Sequence, residues 1–367
     1  MYLFTFSLLG LFAIDDIFLK RKKYHLAFML IAVLWIIFHD GFRWGVATDW
    51  KNYHDFFLIC LDGDTSEFEI GYVLFSQAVR SVTDNYSVFL VIHAIIVYSL
   101  ISRSILKYAV NPLFSFFFFY CLMLTYLGMN RQYISFAICI YAYRYIFDRR
   151  LYPFLFCIFI AFLFHKSSIM FVLAYFLNRE FKTKILIYLL TTFALISLSG
   201  VMNKLPLSLF FLFGDNAGDR LSFYSETAQS GTNAILSLLA LVKRSIWIIL
   251  ALIYKDHIKN KDEHYNFFFN LYFAGALMYM LFNNTMLHII VARGILYFNI
   301  AEIFLIPYLL SVFKEGISKA VMFILVLIYG FLMVQKGMNF YKENLGIDIY
   351  RPYNSVLMDN TYDAMEQ

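Results

Sequence analysis

The sequence predicts an all-α integral membrane protein, a polytopic bundle of about 12 transmembrane helices. Hydrophobic residues make up 61% of the chain and charged residues only 15%, and the mean hydropathy is +0.67. A soluble domain is nearer half apolar and about a quarter charged. The apolar residues come in long runs without the alternation of a strand, which favours helices. Lipid is therefore the expected solvent for much of the surface.

A spanning helix needs about 20 mainly apolar residues. The runs that approach this length are 2-19, 25-42, 86-102, 112-129, 131-147, 151-164, 167-178, 184-200, 234-254, 265-283, 290-312 and 319-335. No small-residue cleavage site follows the first run, so we expect a membrane helix there and no cleaved signal. Since no internal repeat or linker divides the chain, we predict one membrane domain over residues 1-367.

The segments between the predicted spans fall into two groups that differ in charge. Three longer polar segments, 43-85, 201-233 and 336-367, alternate with short basic ones. The positive-inside rule places the basic segments in the cytoplasm and the three polar segments, with both termini, on the outer side. The basic segments are Lys20 to Lys23, Arg103 to Lys107, Asp148 to Arg150, Arg179 to Lys184, Lys255 to Lys261 and Lys314 to Lys319.

Two segments do not fit a full span. Residues 69-83 are apolar but carry Glu69 and Arg80, so we predict a short interfacial or re-entrant helix on the outer side. Residues 151-178 form two short apolar arms that are broken at His165. Each arm is too short for a hydrocarbon core of about 30 Å, so the turn at His165 is expected inside the membrane profile.

Several charged residues lie inside predicted spans, where transfer of a charge into lipid costs free energy. Lys243 and Arg244 are central in one run, Arg293 and Glu302 lie in another, and Arg131 opens a third at its outer end. A charge at mid-bilayer costs about 2.5–3.5 kcal/mol on insertion scales, so it is usually functional or paired. The alternative for Lys243 or Arg244 is an ion pair that serves packing alone.

The candidate binding and catalytic residues lie in the outer half of the predicted bundle. Arg131, Arg244 and Arg293 suit phosphate or pyrophosphate, because the guanidinium fork matches two oxygens. A neighbouring carboxylate or histidine suits a general base, for which the sequence offers Glu69, Asp49 and His165 without choosing among them. Arg220 adds a basic residue in an outer segment, and it is a further candidate for the pyrophosphate. The candidates for stacking on sugars are Trp50, Tyr53, Tyr72 and Tyr353, and each also fits an ordinary interfacial aromatic belt.

Motifs of soluble enzymes are absent from the sequence. There is no phosphate-binding loop, no dinucleotide fingerprint and no zinc-ligand spacing. Asp62-Gly63-Asp64 resembles a metal-binding D-x-D, but such a triplet is also common in polar turns. We therefore predict no metal, no cofactor and no nucleic-acid partner, and we expect the substrate itself to supply the energy.

Short motifs follow one another in order along the chain, at predicted outer helix ends. They are Thr48 to Tyr53 with Phe56-Phe57, Glu69 to Tyr72, Asn130 to Gln132, Phe164 to Ser168, Arg293 with Tyr297-Phe298, and Tyr350 to Tyr353. In order, spacing and placement this set resembles the EpsG-type branch of the Wzy polysaccharide polymerases over nearly the whole chain. One departure is Ala47, where a glycine is expected before the Thr-Asp pair.

The resemblance implies a bacterial inner-membrane glycosyltransferase with a GT-C-like architecture and a periplasmic active site. It implies that an undecaprenyl-pyrophosphate-linked oligosaccharide is the donor and that another lipid-linked repeat unit is the acceptor. The product is O-antigen or another surface polysaccharide. A flippase and a chain-length regulator of the same pathway are the implied partners, beside membrane lipids.

Three other functions fit parts of the sequence. A glycosyltransferase that uses a sugar on polyprenyl monophosphate would rely on Asp62 and Asp64. A flippase for lipid-linked glycans would also have about a dozen spans, but transporters usually show two related halves. A membrane O-acyltransferase would need a histidine deeper in the bundle.

Overall fold

The computed structural model describes residues 1–204, 234–259, 262–282, 285 and 293–357. The regular secondary structure of these residues is helical, and an isolated antiparallel bridge joins Arg43 to Ser355. This confirms the prediction of an all-α fold.

The first part of the chain contains nine α-helices. A π-helical turn, Asp15–Leu19, extends the first of them, and a 3-10 turn, Leu124–Tyr126, extends the sixth. The helices are α1 Tyr2–Ile14, α2 Lys22–Gly41, α3 Trp50–Ile59, α4 Ile70–Arg80, α5 Tyr86–Tyr108, α6 Pro112–Met123, α7 Asn130–Tyr141, α8 Tyr143–Phe147 and α9 Leu151–Phe164.

The second part begins with a 3-10 helix, Lys166–Leu177, and a further 3-10 turn, Val201–Lys204, follows the first of its α-helices. The α-helices are α10 Thr183–Ser199, α11 Ala234–Lys259, α12 Tyr265–Phe282, α13 Leu296–Asn299, α14 Glu302–Val312 and α15 Ile317–Leu345.

Four helices of the described residues are long and apolar enough to cross a membrane. They are Tyr2–Leu19, Lys22–Gly41, Tyr86–Tyr108 and Ile317–Glu343. Each coincides with a predicted span. Further apolar helices are shorter than 18 residues, so the count of about 12 spans stays a prediction.

The chain divides into two compact units. The first joins residues 1–172 to residues 313–367, and the second comprises residues 173–312. These units are defined by contacts within the chain. The prediction that residues 1-367 form one membrane domain stays a prediction.

In the first unit, α2, α5, α7 and α9 pack in succession, while α1 and α15 pack on α6. Gly330 brings α15 close to α6, because a Cβ atom there would lie 3.1 Å from the Cys121 sulfur. Asp16 caps α6: its carboxylate accepts the backbone N–H groups of Leu113 at 2.9 Å and Phe114 at 3.2 Å. These two donors would otherwise have no intrahelical partner.

The two irregular segments are short, as predicted. α4 has 11 residues, about 16 Å at 1.5 Å per residue. α9 has 14 residues and ends at His165, after a length of about 21 Å. The second arm is a 3-10 helix of 12 residues, about 24 Å at 2.0 Å per residue. Neither arm reaches the roughly 30 Å of a hydrocarbon core.

Some predicted boundaries were wrong. The segment 43-85 contains α3 in addition to the predicted short helix α4, and α15 runs past the predicted end at residue 335 to Leu345. The run 131-147 is divided between α7 and α8, and the run 290-312 is interrupted before α14. Hydropathy senses which residues prefer lipid, whereas helix ends depend on capping and tertiary contacts.

In the second unit, α12 is central and contacts α10, α11, α13 and α14. Phe268 of α12 stacks on Phe304 of α14 with 4.2 Å between the ring centroids. Asn270 ties α12 to the end of the 3-10 helix by donating to the carbonyls of Leu177 and Arg179 at 2.8 and 2.6 Å.

Candidate functional site

An ion pair between Arg131 and Glu69 is the centre of the candidate site in the first unit. The guanidinium Nη1 donates to Glu69 Oε2 at 2.6 Å, and Nε donates to the Tyr53 hydroxyl at 3.2 Å. The side chains of Arg131 and Glu69 are 21% and 14% exposed. The pair is therefore mostly desolvated but still reachable from one side, where a charged ligand can approach.

Aromatic rings hold the guanidinium in place. It lies 4.9 Å from the ring centroid of Phe68 and 5.7 Å from that of Tyr53. Burial raises the pKa of Tyr53, so the phenol stays protonated and accepts from Arg131 as a neutral group. The carboxylate of Glu69 is then the acidic partner of the guanidinium in this cluster.

The helices that carry the ion pair are fixed by a close backbone contact. Glu69 immediately precedes α4, and Arg131 is the second residue of α7. A Cβ atom on Gly71 would lie 2.7 Å from the carbonyl oxygen of Leu163 in α9, so only glycine allows this approach. The start of α4 is thereby anchored on the end of α9.

Asp49 lies at the start of α3 in a strained turn. Its φ is 54° and that of Ala47 is 79°, both in the left-handed region. The turn lies against Gly128, where an added Cβ would come within 2.2 Å of the Thr48 carbonyl oxygen. Asp49 is exposed and lies four residues before Tyr53, and its charge acts on the Tyr53 phenol.

His165 ends α9 and is buried, with 8% of its surface exposed. Its Nδ1 lies 2.7 Å from the Ser167 hydroxyl. Gly71 of α4 contacts Leu163 of α9. His165 lies two residues after Leu163, and Glu69 lies two residues before Gly71, so this contact brings the two predicted residues into the same region. The turn at His165 thus belongs to the same end of the first unit as the ion pair.

The other predicted arginines lie in the second unit. The Arg244 guanidinium lies 3.8 Å from the centroid of the Tyr279 ring. Tyr279 packs with Ile295, which follows the half-buried Arg293 by two residues. Arg244 thus contacts this cluster, and the joint action of Arg244 and Arg293 with Arg131 stays a prediction.

Lys243 is paired with the buried Glu302, with 3.3 Å between Nζ and Oε2. This is the packing ion pair that the sequence left open as the alternative. The pair links α11 to α14 and neutralises a carboxylate that is 3% exposed, as the cost of a buried charge requires.

The predicted sugar-binding aromatics are mostly buried. Trp50, Tyr53 and Tyr72 are 6%, 4% and 0% exposed and belong to one aromatic core. A ring that stacks on a sugar needs a free face, so their burial favours packing over the predicted role. Tyr353 is half-buried, and its hydroxyl donates to the His39 carbonyl at 2.6 Å.

Arg220, predicted to bind pyrophosphate, lies outside the described residues. Asp62 and Asp64 are exposed in a turn, where Asp64 accepts the backbone N–H of Ser66 at 2.8 Å. This is an ordinary polar turn, and no group of three potential metal ligands occurs within the described ranges.

A buried polar network behind Arg131 was missed by the sequence reasoning. It includes Asp40, Arg43, His93 and Asn130, each at most 6% exposed. The signal was present in Asp40 and Arg43 at the end of an apolar run and in His93 inside another. They lie at a span boundary or inside a span, where hydropathy alone does not single them out.

The comparisons with known proteins give one finding. A model of the EpsG family matches residues 26–355. No curated protein and no solved structure matches the chain.

Proposed function

The chain belongs to the EpsG family, and on that premise we propose that it polymerises polysaccharide repeat units by glycosyl transfer. The donor is an oligosaccharide on undecaprenyl pyrophosphate, and the acceptor is a second lipid-linked repeat unit. The reaction takes place at the periplasmic face of a bacterial inner membrane.

The observation that carries this proposal is the partly exposed ion pair of Arg131 and Glu69 in a segment that the family model covers. A guanidinium already held against a carboxylate is oriented for a second anion of similar geometry. When the donor binds, its pyrophosphate accepts from the guanidinium beside the Glu69 carboxylate, which stays bound to Nη1. Because Arg131 is fixed by Tyr53 and Phe68, little reorganisation accompanies the growth of charge.

The reaction needs neither an oxidant nor a reductant. An acceptor hydroxyl oxygen forms a bond to the anomeric carbon of the donor sugar while the bond from that carbon to the pyrophosphate oxygen breaks. The pyrophosphate leaves with the electron pair, and its charge is stabilised by Arg131. The hydroxyl proton passes to a carboxylate.

We assign the base to Asp49. Its side chain is exposed, whereas the side chain of Glu69 is only 14% exposed and His165 is 8% exposed. A base has to reach the acceptor hydroxyl within hydrogen-bond distance, which favours the accessible carboxylate. Glu69 then positions Arg131, and His165 supports the region where α4 meets α9.

Arg244 and Arg293 complete the proposal as binding groups in the second unit. The Arg244 guanidinium lies over the Tyr279 ring, and Arg293 lies two residues before Ile295, which packs in the same cluster as Tyr279. The proposal also includes a GT-C-like bundle of about 12 spans and substrates delivered by a flippase of the same pathway.

The test replaces Arg131 with alanine. We expect R131A to lower polymerisation by at least about 100-fold, because it removes a group that stabilises the leaving pyrophosphate. The readout is surface glycan on a gel, from a deletion strain that carries the variant, with the protein measured in the membrane fraction.

Arg144→Ala is the matched control. Arg144 also lies over a tyrosine ring, with 4.1 Å to the Tyr141 centroid, and donates to that hydroxyl at 2.7 Å. We expect R144A to leave glycan length unchanged. Normal chain length in R131A would remove the pyrophosphate role.

The same gels separate the proposal from its rivals. A polymerase defect leaves lipid core capped by a single repeat unit, whereas a flippase defect leaves no repeat unit at all. A monophosphate-dependent glycosyltransferase would lose activity in D62A and D64A, and the polymerase is expected to tolerate both changes.

A further inference from the structure

Asn130 immediately precedes Arg131 and is held by three partners. Its side-chain Oδ1 accepts from Arg43 Nη2 at 2.9 Å, and its Nδ2 donates to the Tyr86 hydroxyl at 3.2 Å. Its carbonyl oxygen accepts from His93 Nε2 at 2.9 Å. Asn130, Tyr86 and Arg43 are each 2% exposed and His93 is 4% exposed. The first residue of α7 is thus pinned from inside the unit.

Arg43 is the charged member of this set. Its Nη1 donates to the Asp40 carbonyl at 2.5 Å while Nη2 reaches Asn130, so the two ends of the fork join α2 to α7. A buried cation is costly unless it is paired and hydrogen-bonded. The carboxylate of Asp40 supplies the opposite charge nearby and is itself held by the Tyr98 hydroxyl.

The backbone around Arg43 is also fixed from the other side. Arg43 bridges to Ser355, Val356 donates its N–H to the Phe42 carbonyl at 3.1 Å, and Trp44 donates to the Asn354 carbonyl at 3.0 Å. The guanidinium therefore extends from a backbone segment that is held on both sides of Arg43, and it has little freedom to follow a movement of α7.

Arg131 extends from α7 towards Tyr53 and Glu69, whereas Asn130 extends towards Arg43 and Tyr86. A shift of Asn130 is therefore transmitted through a single peptide unit to Arg131. Since a misplacement of about 1 Å at a reacting group can cost about 100-fold in rate, the rigidity of this anchor matters for the ligand.

We propose that Arg43, through Asn130, is a positioning residue that sets the guanidinium of Arg131 for the lipid pyrophosphate. The inference rests on the proposed function of Arg131. It adds that a buried arginine that does not touch the ligand determines how well the ligand is bound.

The experiment is a double-mutant cycle on the full chain in nanodiscs, with undecaprenyl pyrophosphate as the probe. Arg43→Met removes the fork but keeps an unbranched, apolar stem of similar length. We expect R43M to weaken binding about tenfold when Arg131 is present and to have no further effect in R131A. Equal losses in both backgrounds, or no loss in the presence of Arg131, would overturn the positioning role.

A second, milder variant covers the case in which R43M does not fold. Tyr86→Phe removes only the hydroxyl that accepts from Asn130, and we expect about a threefold loss that again disappears in R131A. Tyr120→Phe is the matched control, because Tyr120 is a buried tyrosine of the same unit whose hydroxyl donates to the Tyr2 carbonyl at 3.0 Å. Its affinity should be unchanged.

The cycle also separates this inference from the proposed function. If R131A by itself binds the probe normally, the pyrophosphate role of Arg131 fails and the positioning role fails with it. If R131A weakens binding but R43M and Y86F do not, only the positioning role is wrong.

Discussion

Asp49, Glu69 and His165 are equivalent candidates in the sequence and differ in their surroundings. Asp49 is exposed in a left-handed turn, Glu69 is bound by Arg131 at 2.6 Å, and His165 is buried beside Ser167. Accessibility therefore divides the three roles. An exposed carboxylate suits proton abstraction, whereas a mostly buried one suits the orientation of its partner.

We expect Asp49→Asn to reduce polymerisation by at least about 100-fold, because the amide cannot take the acceptor proton. The measurement is repeat-unit transfer in membranes with lipid-linked donor and acceptor, together with binding of undecaprenyl pyrophosphate. Binding should be retained, since Asp49 acts on the acceptor and not on the leaving group.

Asp55→Asn is the control for Asp49→Asn. Asp55 is another exposed carboxylate of α3, adjacent to His54 at 3.3 Å, and its loss should leave transfer unchanged. Normal transfer in D49N would contradict the assignment of the base and return the role to Glu69 or His165.

The C-terminal segment is the element that holds the loop before Asp49. Ala47 donates its N–H to the Ile349 carbonyl at 2.8 Å, and Trp44 donates to Asn354 at 3.0 Å. Tyr353 adds a side-chain bond to the His39 carbonyl at 2.6 Å. The segment after α15 thus acts as a clamp on the loop that carries the proposed base.

We expect a chain that ends at Gly346 to insert into the membrane but to lose polymerisation. It keeps all of α15 and loses the clamp, whose backbone bonds contribute about 1 kcal/mol each. Membrane-fraction yield and glycan length are the measurements. A chain that ends at Leu357 retains all of these contacts and is the control, and full-length glycan from the shorter chain would show that the clamp is dispensable.

Orientation in the membrane is a property of the whole molecule. The basic segments predict that Lys23 faces the cytoplasm and Asp62 the outer side, and both side chains are exposed. The proposed function depends on this orientation, because Asp49 and Glu69 lie in the same predicted outer segment, 43-85, as Asp62.

Cysteine labelling tests the predicted orientation in the membrane. We expect D62C to react with a membrane-impermeant maleimide in intact cells, and K23C to react only after the inner membrane is opened. The native cysteines Cys60, Cys121 and Cys139 are buried, and Cys157 is half-buried, so the C157S background limits native labelling. The reverse pattern would place the Arg131 site on the cytoplasmic side.

The sequence by itself determined the class of the protein and its family. Apolar composition and run length are local properties, so they predicted a helical membrane protein, and four predicted spans coincide with helices of sufficient length. The break at His165 was also local, because two short arms on either side of a polar tetrad cannot form a single span. Arg131, Glu69 and Asp49 were found by residue type and motif.

Only the tertiary structure decided how these residues are paired. Glu69 and Arg131 are separated by 62 positions, and Arg43 and Asn130 by 87. Helix packing brings them together, and no local pattern encodes that contact. The same packing buried Trp50, Tyr53 and Tyr72 and satisfied Lys243 with Glu302. Whether a polar or aromatic side chain is a ligand or part of the core depends on what covers it, which is a property of the folded chain.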